Sequence, residues 1–256
     1  MMNTSKNLDD ILVIENLTKI YHSKDGETLA IKDLNLKIKE GEFVAIVGPS
    51  GCGKSTLLSI LCNLENKSDG NIIFKNKNPK LGYMLQEDTL FPWLNILNNC
   101  LLGLKVQKKI TKENKNKVLN LLETYGLKDF IKKYPDNLSG GMRQRVALIR
   151  TLATEPDILL LDEAFSALDY QTRLAVSDDV WKIIKKEKKT TIMITHDVAE
   201  AISMADRVIV LTNRPAKVKK IYNIEMENKS NPINNRKCPE FNKYYEIIWK
   251  DIDIHV

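Results

Sequence analysis

The residues Gly48-Pro49-Ser50-Gly51-Cys52-Gly53-Lys54-Ser55-Thr56 carry the clearest chemistry in this 256-residue chain. Gly48 and Gly53 are separated by four residues and are followed by Lys and Ser. Glycines tolerate unusual backbone angles, so successive N–H groups can turn inward and cradle a polyphosphate at the positive end of a following helix. Lys54 would set a point charge against the outer phosphates, and the Ser55 hydroxyl would be one ligand of a phosphate-bound magnesium. A second acidic element, Asp162-Glu163, ends the apolar run Ile158-Leu159-Leu160-Leu161. Ligands in open α/β sheets bind at that end of a strand. Asp162 suits a direct or indirect role on magnesium, and Glu163 is placed to polarise an attacking water. A third segment, Leu138-Ser139-Gly140-Gly141-Met142-Arg143-Gln144-Arg145, has a serine and two glycines opening a helix, which makes a second anion site.

These groups need a particular scaffold. The run Phe43–Val47 before the glycines is strand-like and apolar, and a helix is expected from 54 to about 64. Alternating residues predict strands at 11–20 and 31–38, with a polar loop at 21–27 between them. Further strands are expected at 71–74, 81–85, 157–161, 191–195 and 207–211, and a helix at 171–186. Between 93 and 154 the pattern is mostly helical, with a basic solvated stretch at 108–117 and a break at Pro135-Asp136-Asn137. Alternation of strands and helices implies an α/β sheet with crossover helices and an inserted helical subdomain. The stretch 228–237 is polar enough to be mobile.

Composition narrows the class. Hydrophobic residues make up 43% of the chain, and 39 basic against 33 acidic side chains leave a net charge of +6. That excess is too mild to argue for nucleic acid, and no nucleic-acid partner is expected. Cys52, Cys62, Cys100 and Cys238 show neither metal-ligand nor disulfide spacing, so a reduced cytosolic setting is expected. The first ten residues, polar and partly acidic, do not resemble a signal peptide. No apolar run approaches the ~20 residues of a membrane helix. Any membrane role must come through a partner.

The segment 138–145 resembles the signature motif of the ATP-binding cassette (ABC) ATPases, and with it motifs along nearly the whole chain fall into that family's order. Tyr21 matches the family's adenine-stacking aromatic, and Gln86 the glutamine that touches magnesium and the attacking water. Ser166-Ala167-Leu168-Asp169 resembles the loop along the dimer interface, and His196 the switch histidine on the terminal phosphate. The resemblance implies an α/β fold: a RecA-like phosphate-loop core sheet (11–86 and 155–213), an N-terminal antiparallel β part, a helical signature subdomain (87–154) and a C-terminal extension (214–256). It also implies ATP and Mg2+. Two copies would pair head to tail, the phosphate loop of one and Ser139, Gly140 and Gly141 of the other closing on one ATP. Glu163, His196, Lys54 and Gln86 would carry hydrolysis.

A narrower resemblance, to importer ATPases of the nitrate, sulfonate and taurine group, rests on Phe91-Pro92-Trp93, on residues 167–173, on the Asn213-Arg214-Pro215 turn, and on Pro239-Glu240-Phe241 with Trp249. It implies an ATPase peripheral to the cytoplasmic face of the cell membrane, with permease subunits as partners and an extracytoplasmic solute-binding protein acting indirectly. Phe91, Pro92 and Trp93 would then line the groove for a permease coupling helix, the alternative being core packing. Leu85 and Ala164 depart from the group's usual Phe and Pro without removing a reacting group. A soluble ABC protein of translation or DNA repair usually carries two cassettes or a long coiled coil, whereas this chain has one cassette and no sustained heptads. A phosphate-loop kinase would leave 138–145 and His196 unexplained. Cargo choice belongs to the binding protein and permease, so nitrate, sulfonates, taurine and thiamine or pyrimidine-like precursors stay open. Cys52, inside the loop, is expected to be shielded by nucleotide, so that alkylation abolishes hydrolysis and ATP protects.

Overall fold

The computed structural model describes residues 10–24 and 26–252, and the signal-peptide expectation falls largely outside them. Strands β1 (Asp10–Ser23), β2 (Gly26–Lys39) and β3 (Phe43–Val47) lead to helix α1 (Lys54–Leu61), then β4 (Asp69–Phe74) and β5 (Leu81–Met84). Helices α2 (Ile96–Val106), α3 (Lys112–Thr124) and α4 (Gly140–Leu152) follow. The chain then alternates through β6 (Ile158–Asp162), α5 (Tyr170–Lys186), β7 (Thr190–Ile194), α6 (Val198–Met204) and β8 (Arg207–Leu211). It closes with β9 (Val218–Asn223), α7 (Pro232–Asn235) and α8 (Pro239–Ile252).

Two sheets result. One is antiparallel, in the order β2-β1-β4; the other runs β5-β6-β7-β3-β8-β9. Strands β5, β6, β7, β3 and β8 are parallel, and β9 joins the edge antiparallel to β8. All five residues of β3 are buried, as a strand covered on both faces requires. Their alternation divides the core: Phe43, Ala45 and Val47 pack with Val146 of α4, Val180 of α5 and Ala201 of α6. Val44 and Ile46 point the other way, to Leu57 and Leu58 of α1 and Leu34 and Ile38 of β2. In β6, Leu159 and Leu161 divide from Ile158 and Leu160 in the same manner. The carboxyl ends of β3, β5, β6 and β7 therefore open along one edge of the sheet.

Three expectations need correction. Residues 21–23 and 26–27 are not a loop: Tyr21 pairs with Thr28, His22 with Glu27 and Ser23 with Gly26, so the hairpin runs almost to its tip. Backbone pairing with one face in solvent sustains polar strand ends that side-chain polarity alone labels as loop. Helix α1 stops at Leu61, where Cys62 caps it and Asn63 turns to φ 58°. The polar stretch 228–237 is anchored by Asn235, fully buried, whose Oδ1 accepts from Ser230 N at 2.7 Å and whose Nδ2 donates to Ser203 O at 2.8 Å. The basic stretch is solvated as expected, with Lys108, Lys109, Lys112 and Lys115 all exposed.

Candidate functional site

The loop between β3 and α1 has the shape its glycines permit. Gly51 and Gly53 adopt φ of 69° and 125°, and a Cβ at Gly53 would meet Ala30 O at 3.0 Å. No side chain caps the start of α1, so its first N–H groups are free to face an anion. Lys54 is buried, with Nζ donating to Gly48 O at 2.8 Å and Pro49 O at 2.9 Å. An ammonium bonded only to carbonyls carries its charge into the loop that is to receive a phosphate.

Beside it, β6 ends in Asp162. The Ser55 hydroxyl donates to Asp162 Oδ1 at 3.4 Å and the Tyr83 hydroxyl to Oδ2 at 2.8 Å. Burial and this bond raise the Tyr83 phenol above its ordinary pKa, keeping it the donor. A hydroxyl and a carboxylate oxygen in contact form the hard donor pair that magnesium takes together with phosphate oxygens and water. Glu163 has φ 48°, a conformation uncommon for a residue with a side chain, and its N–H donates to Ile194 O at 2.9 Å. Its Oε2 lies 3.0 Å from His196 Nδ1, just beyond β7. Ser166 Oγ donates to Glu163 O at 2.9 Å and accepts from Gln86 Nε2 at 3.0 Å, so Gln86 reaches the acidic pair through one hydroxyl.

An open cleft of about 470 Å³ joins these pieces, lined by Ser50, Gly51, Gly53, Lys54, Ser55, Thr56, Glu163, His196 and Arg214. Tyr21 stands next to it, its hydroxyl 3.4 Å from Thr56 Oγ1. Ser139, Gly140 and Gly141 do not line the cleft: Ser139 caps α4 by accepting from Met142 N, and Asp169 caps α5 by accepting from Thr172 N. The bond to Thr172 holds the Asp169 carboxyl below its usual pKa. Cys52 corrects the expectation of a nucleotide-shielded thiol. Its side chain points into the core with Leu57 and Ile209, 1% exposed, and burial raises its pKa against the opposing charge of Lys54. The thiol is covered by protein before any nucleotide arrives.

Comparison with known proteins decides the family. Residues 31–166 match the ABC transporter family. The chain is 43% identical over 248 residues to YtlC of Bacillus subtilis, an uncharacterized ABC transporter ATP-binding protein, covering 94% of this chain and 95% of that protein. The chain belongs to the ABC transporter family of ATPases. Similarity extends to the nitrate import ATP-binding protein NrtD of Synechocystis, 38% identical over 247 residues and 93% of each chain. It extends also to the aliphatic sulfonates import ATP-binding protein SsuB of Bacillus cereus, 38% identical over 213 residues, 81% of this chain and 84% of that one. Among solved structures, the dimeric cassette MJ0796 bound to ADP and Pi aligns with TM-score 0.69 at 33% identity, covering 84% of this chain and 99% of that one. The protein cbiO1 of Clostridium perfringens, part of the cbiONQ transporter complex, aligns with TM-score 0.74 at 30% identity, covering 84% and 89%.

Within this ABC ATPase, α4 is tied to the segment after Gln86. Arg143 Nε donates to Asp88 Oδ2 at 2.8 Å, and Arg150 donates to Asp88 O and Thr89 O at 2.8 Å each. Trp93 is 69% exposed and its ring lies 5.0 Å from that of Phe91, so core packing does not account for it. Among the described residues no helix is long and apolar enough to cross a membrane. Sequence reading singled out neither Tyr83 nor Ser166 as a contact of the acidic pair, and took the turn at Arg214 only as a family likeness. Tyr83 was detectable as the one polar ring among the inner residues of β5, whereas the contacts of Ser166 and Arg214 depend on loop folding.

Proposed function

We propose that this ABC ATPase energises an importer for a small anionic or sulfonate-like solute, working as a head-to-tail dimer at the cytoplasmic face of the cell membrane. One observation carries the reading: the two anion-binding helix starts, at Gly53 and at Ser139, do not share a cleft within one chain. A second copy supplies the missing half if Ser139, Gly140 and Gly141 of each chain close on the phosphate loop of the other. The dimeric cassette bound to ADP and Pi supports this arrangement. The import relatives support the solute class, and the cbiONQ complex supports permease partners, with Phe91 and Trp93 as the docking groove and a solute-binding protein acting through the permease.

The chain's own groups then divide the work on ATP. The loop N–H groups and the start of α1 hold the phosphates, while Tyr21 stacks on adenine. Lys54 exchanges the carbonyls of Gly48 and Pro49 for phosphate oxygens. Ser55, Asp162 and Gln86 would hold magnesium, which when bound supplies charge neutralisation for the transferring phosphoryl group. Glu163 orients water and accepts its proton as the bond to the terminal phosphorus forms and ADP leaves. His196 faces Glu163 through Nδ1, which leaves Nε2 to meet a phosphate oxygen. Loss of the terminal phosphate frees Ser139 to Gly141 of the partner chain, and the pair reopens.

The test is purification of the tagged protein from detergent-solubilised membranes. An integral permease should co-purify, and ligand binding by its associated solute-binding protein would name the cargo. Ribosomes or DNA-repair proteins in its place, with no membrane protein, would leave the ATPase chemistry and overturn the transport role.

A further inference from the structure

The Asn213-Arg214-Pro215 turn has no part in the scheme above, yet it is built against the phosphate loop. Its base is fixed: Thr212 N donates to Lys217 O and Lys217 N to Thr212 Oγ1, both at 3.0 Å. Ala216, fully buried, donates from N to Ala30 O at 2.9 Å and accepts at O from Lys32 N at 3.1 Å, which clamps the turn to β2. From this fixed base the exposed Arg214 side chain reaches back to the phosphate loop. Its NH2 and Nε groups donate to Gly51 O at 2.8 and 3.2 Å. The N–H of the same peptide unit, on Cys52, donates to Pro49 O at 3.3 Å. Both ends of the Gly51–Cys52 peptide are therefore held, and its plane is set at a glycine whose φ of 69° leaves it otherwise free.

Arg214 also lines the cleft with Lys54, His196 and Glu163. Guanidinium carries five N–H donors in a fixed fork, so two bonds to Gly51 leave donors at the mouth of the cleft. We propose that Arg214 is a positioning residue for nucleotide binding: it holds the phosphate loop in its accepting shape and sets a second cation, beside Lys54, that draws in the anionic nucleotide. This rests on the ATPase activity of the family and goes beyond the phosphate loop, acidic pair and histidine.

The experiment measures binding of the fluorescent nucleotide mant-ADP by the full chain, with stopped-flow association and release rates at several salt concentrations, alongside steady-state ATP hydrolysis. In Arg214→Ala, Kd for mant-ADP and KM for ATP should rise about tenfold, with kcat changed less than about twofold. Association should lose part of its salt dependence. In Arg214→Lys, which keeps the charge without the fork, association should recover while release stays fast. Equal affinity and equal salt dependence in Arg214→Ala, or a loss confined to kcat, would overturn the proposal. Should Arg214→Ala fail to fold by circular dichroism, a wild-type release rate in Arg214→Lys overturns it equally. Failure of the unmutated protein to bind mant-ADP would instead sink the nucleotide reading itself.

Discussion

Gly141 sits where α4 crosses α5, and the cost of giving it a side chain can be worked out. A Cβ there would lie 2.6 Å from Val176 Cγ2. Carbon atoms prefer separations of about 3.5–4.0 Å, so something must move by roughly 1 Å. Val176 cannot easily yield, because it is 3% exposed and a β-branched residue in a helix has one strongly preferred rotamer. Overpacking of this kind costs about 1–3 kcal/mol. Against it stands the better helix propensity of alanine, worth up to about 1 kcal/mol. Gly141→Ala should therefore destabilise by about 1 kcal/mol, lowering Tm by about 2–4 °C. In a Val176→Ala background the clash is gone and only the propensity gain remains, so the same change should become neutral or stabilising. The coupling measured by urea unfolding of the four proteins should be about 1–2 kcal/mol. Additive effects, or a stabilising Gly141→Ala in the unmutated background, would refute the view that Gly141 is required by the α4–α5 contact.

Thiol labelling at pH 8 should modify the half-exposed Cys238 well before the buried Cys52 and Cys100, with Cys62 slow because burial pushes its thiol up to about 11, and ATPase activity should survive the first phase. Rapid labelling of Cys52 in the native protein would contradict its placement in the core. Glu200 is fully buried beside Asp197, and burial pushes its carboxyl up to about 7. Because the folded protein holds that proton more tightly than the unfolded chain, charging Glu200 opposes folding, and its contribution to stability declines as pH rises from about 4.5 through about 7. Glu200→Gln should accordingly gain Tm relative to the unmutated protein at pH 8 and little at pH 5, and a gain independent of pH would contradict this. In Glu163→Gln, ATP hydrolysis should fall at least about a hundredfold while mant-ADP binding persists, and near-normal turnover would mean that the base lies elsewhere.

The sequence made some of this arrangement legible and hid the rest for physical reasons. Strand β3 is apolar throughout, and β6 is apolar up to its terminal Asp162, because both faces are covered, and a run such as Phe43–Val47 has few alternatives. The hairpin tip at Tyr21 was misjudged because one-sided strands keep polar residues, and only the pairing with Thr28 reveals them. Sheet order is carried by long-range pairing, so the adjacency of β3 to β7, which places His196 near the phosphate loop, could be expected only through family likeness. Motif spacing placed Cys52 in the loop without showing which way its side chain turns. Its contact with the core follows from the loop's path, where a Cβ at Gly48 would meet Cys52 Sγ at 3.3 Å. Arg214, more than a hundred residues from Gly51, belongs to the same class of hidden contact.

The composite site is tested most directly by the molar mass of Glu163→Gln in light scattering, with and without ATP. If Ser139 to Gly141 of one chain close on the phosphate loop of another, ATP should convert the protein from monomer to dimer. The further change Ser139→Arg should abolish that dimer while leaving mant-ADP binding intact. A mass that stays monomeric in ATP while nucleotide is bound, or a dimer indifferent to the Ser139 change, would contradict the shared site.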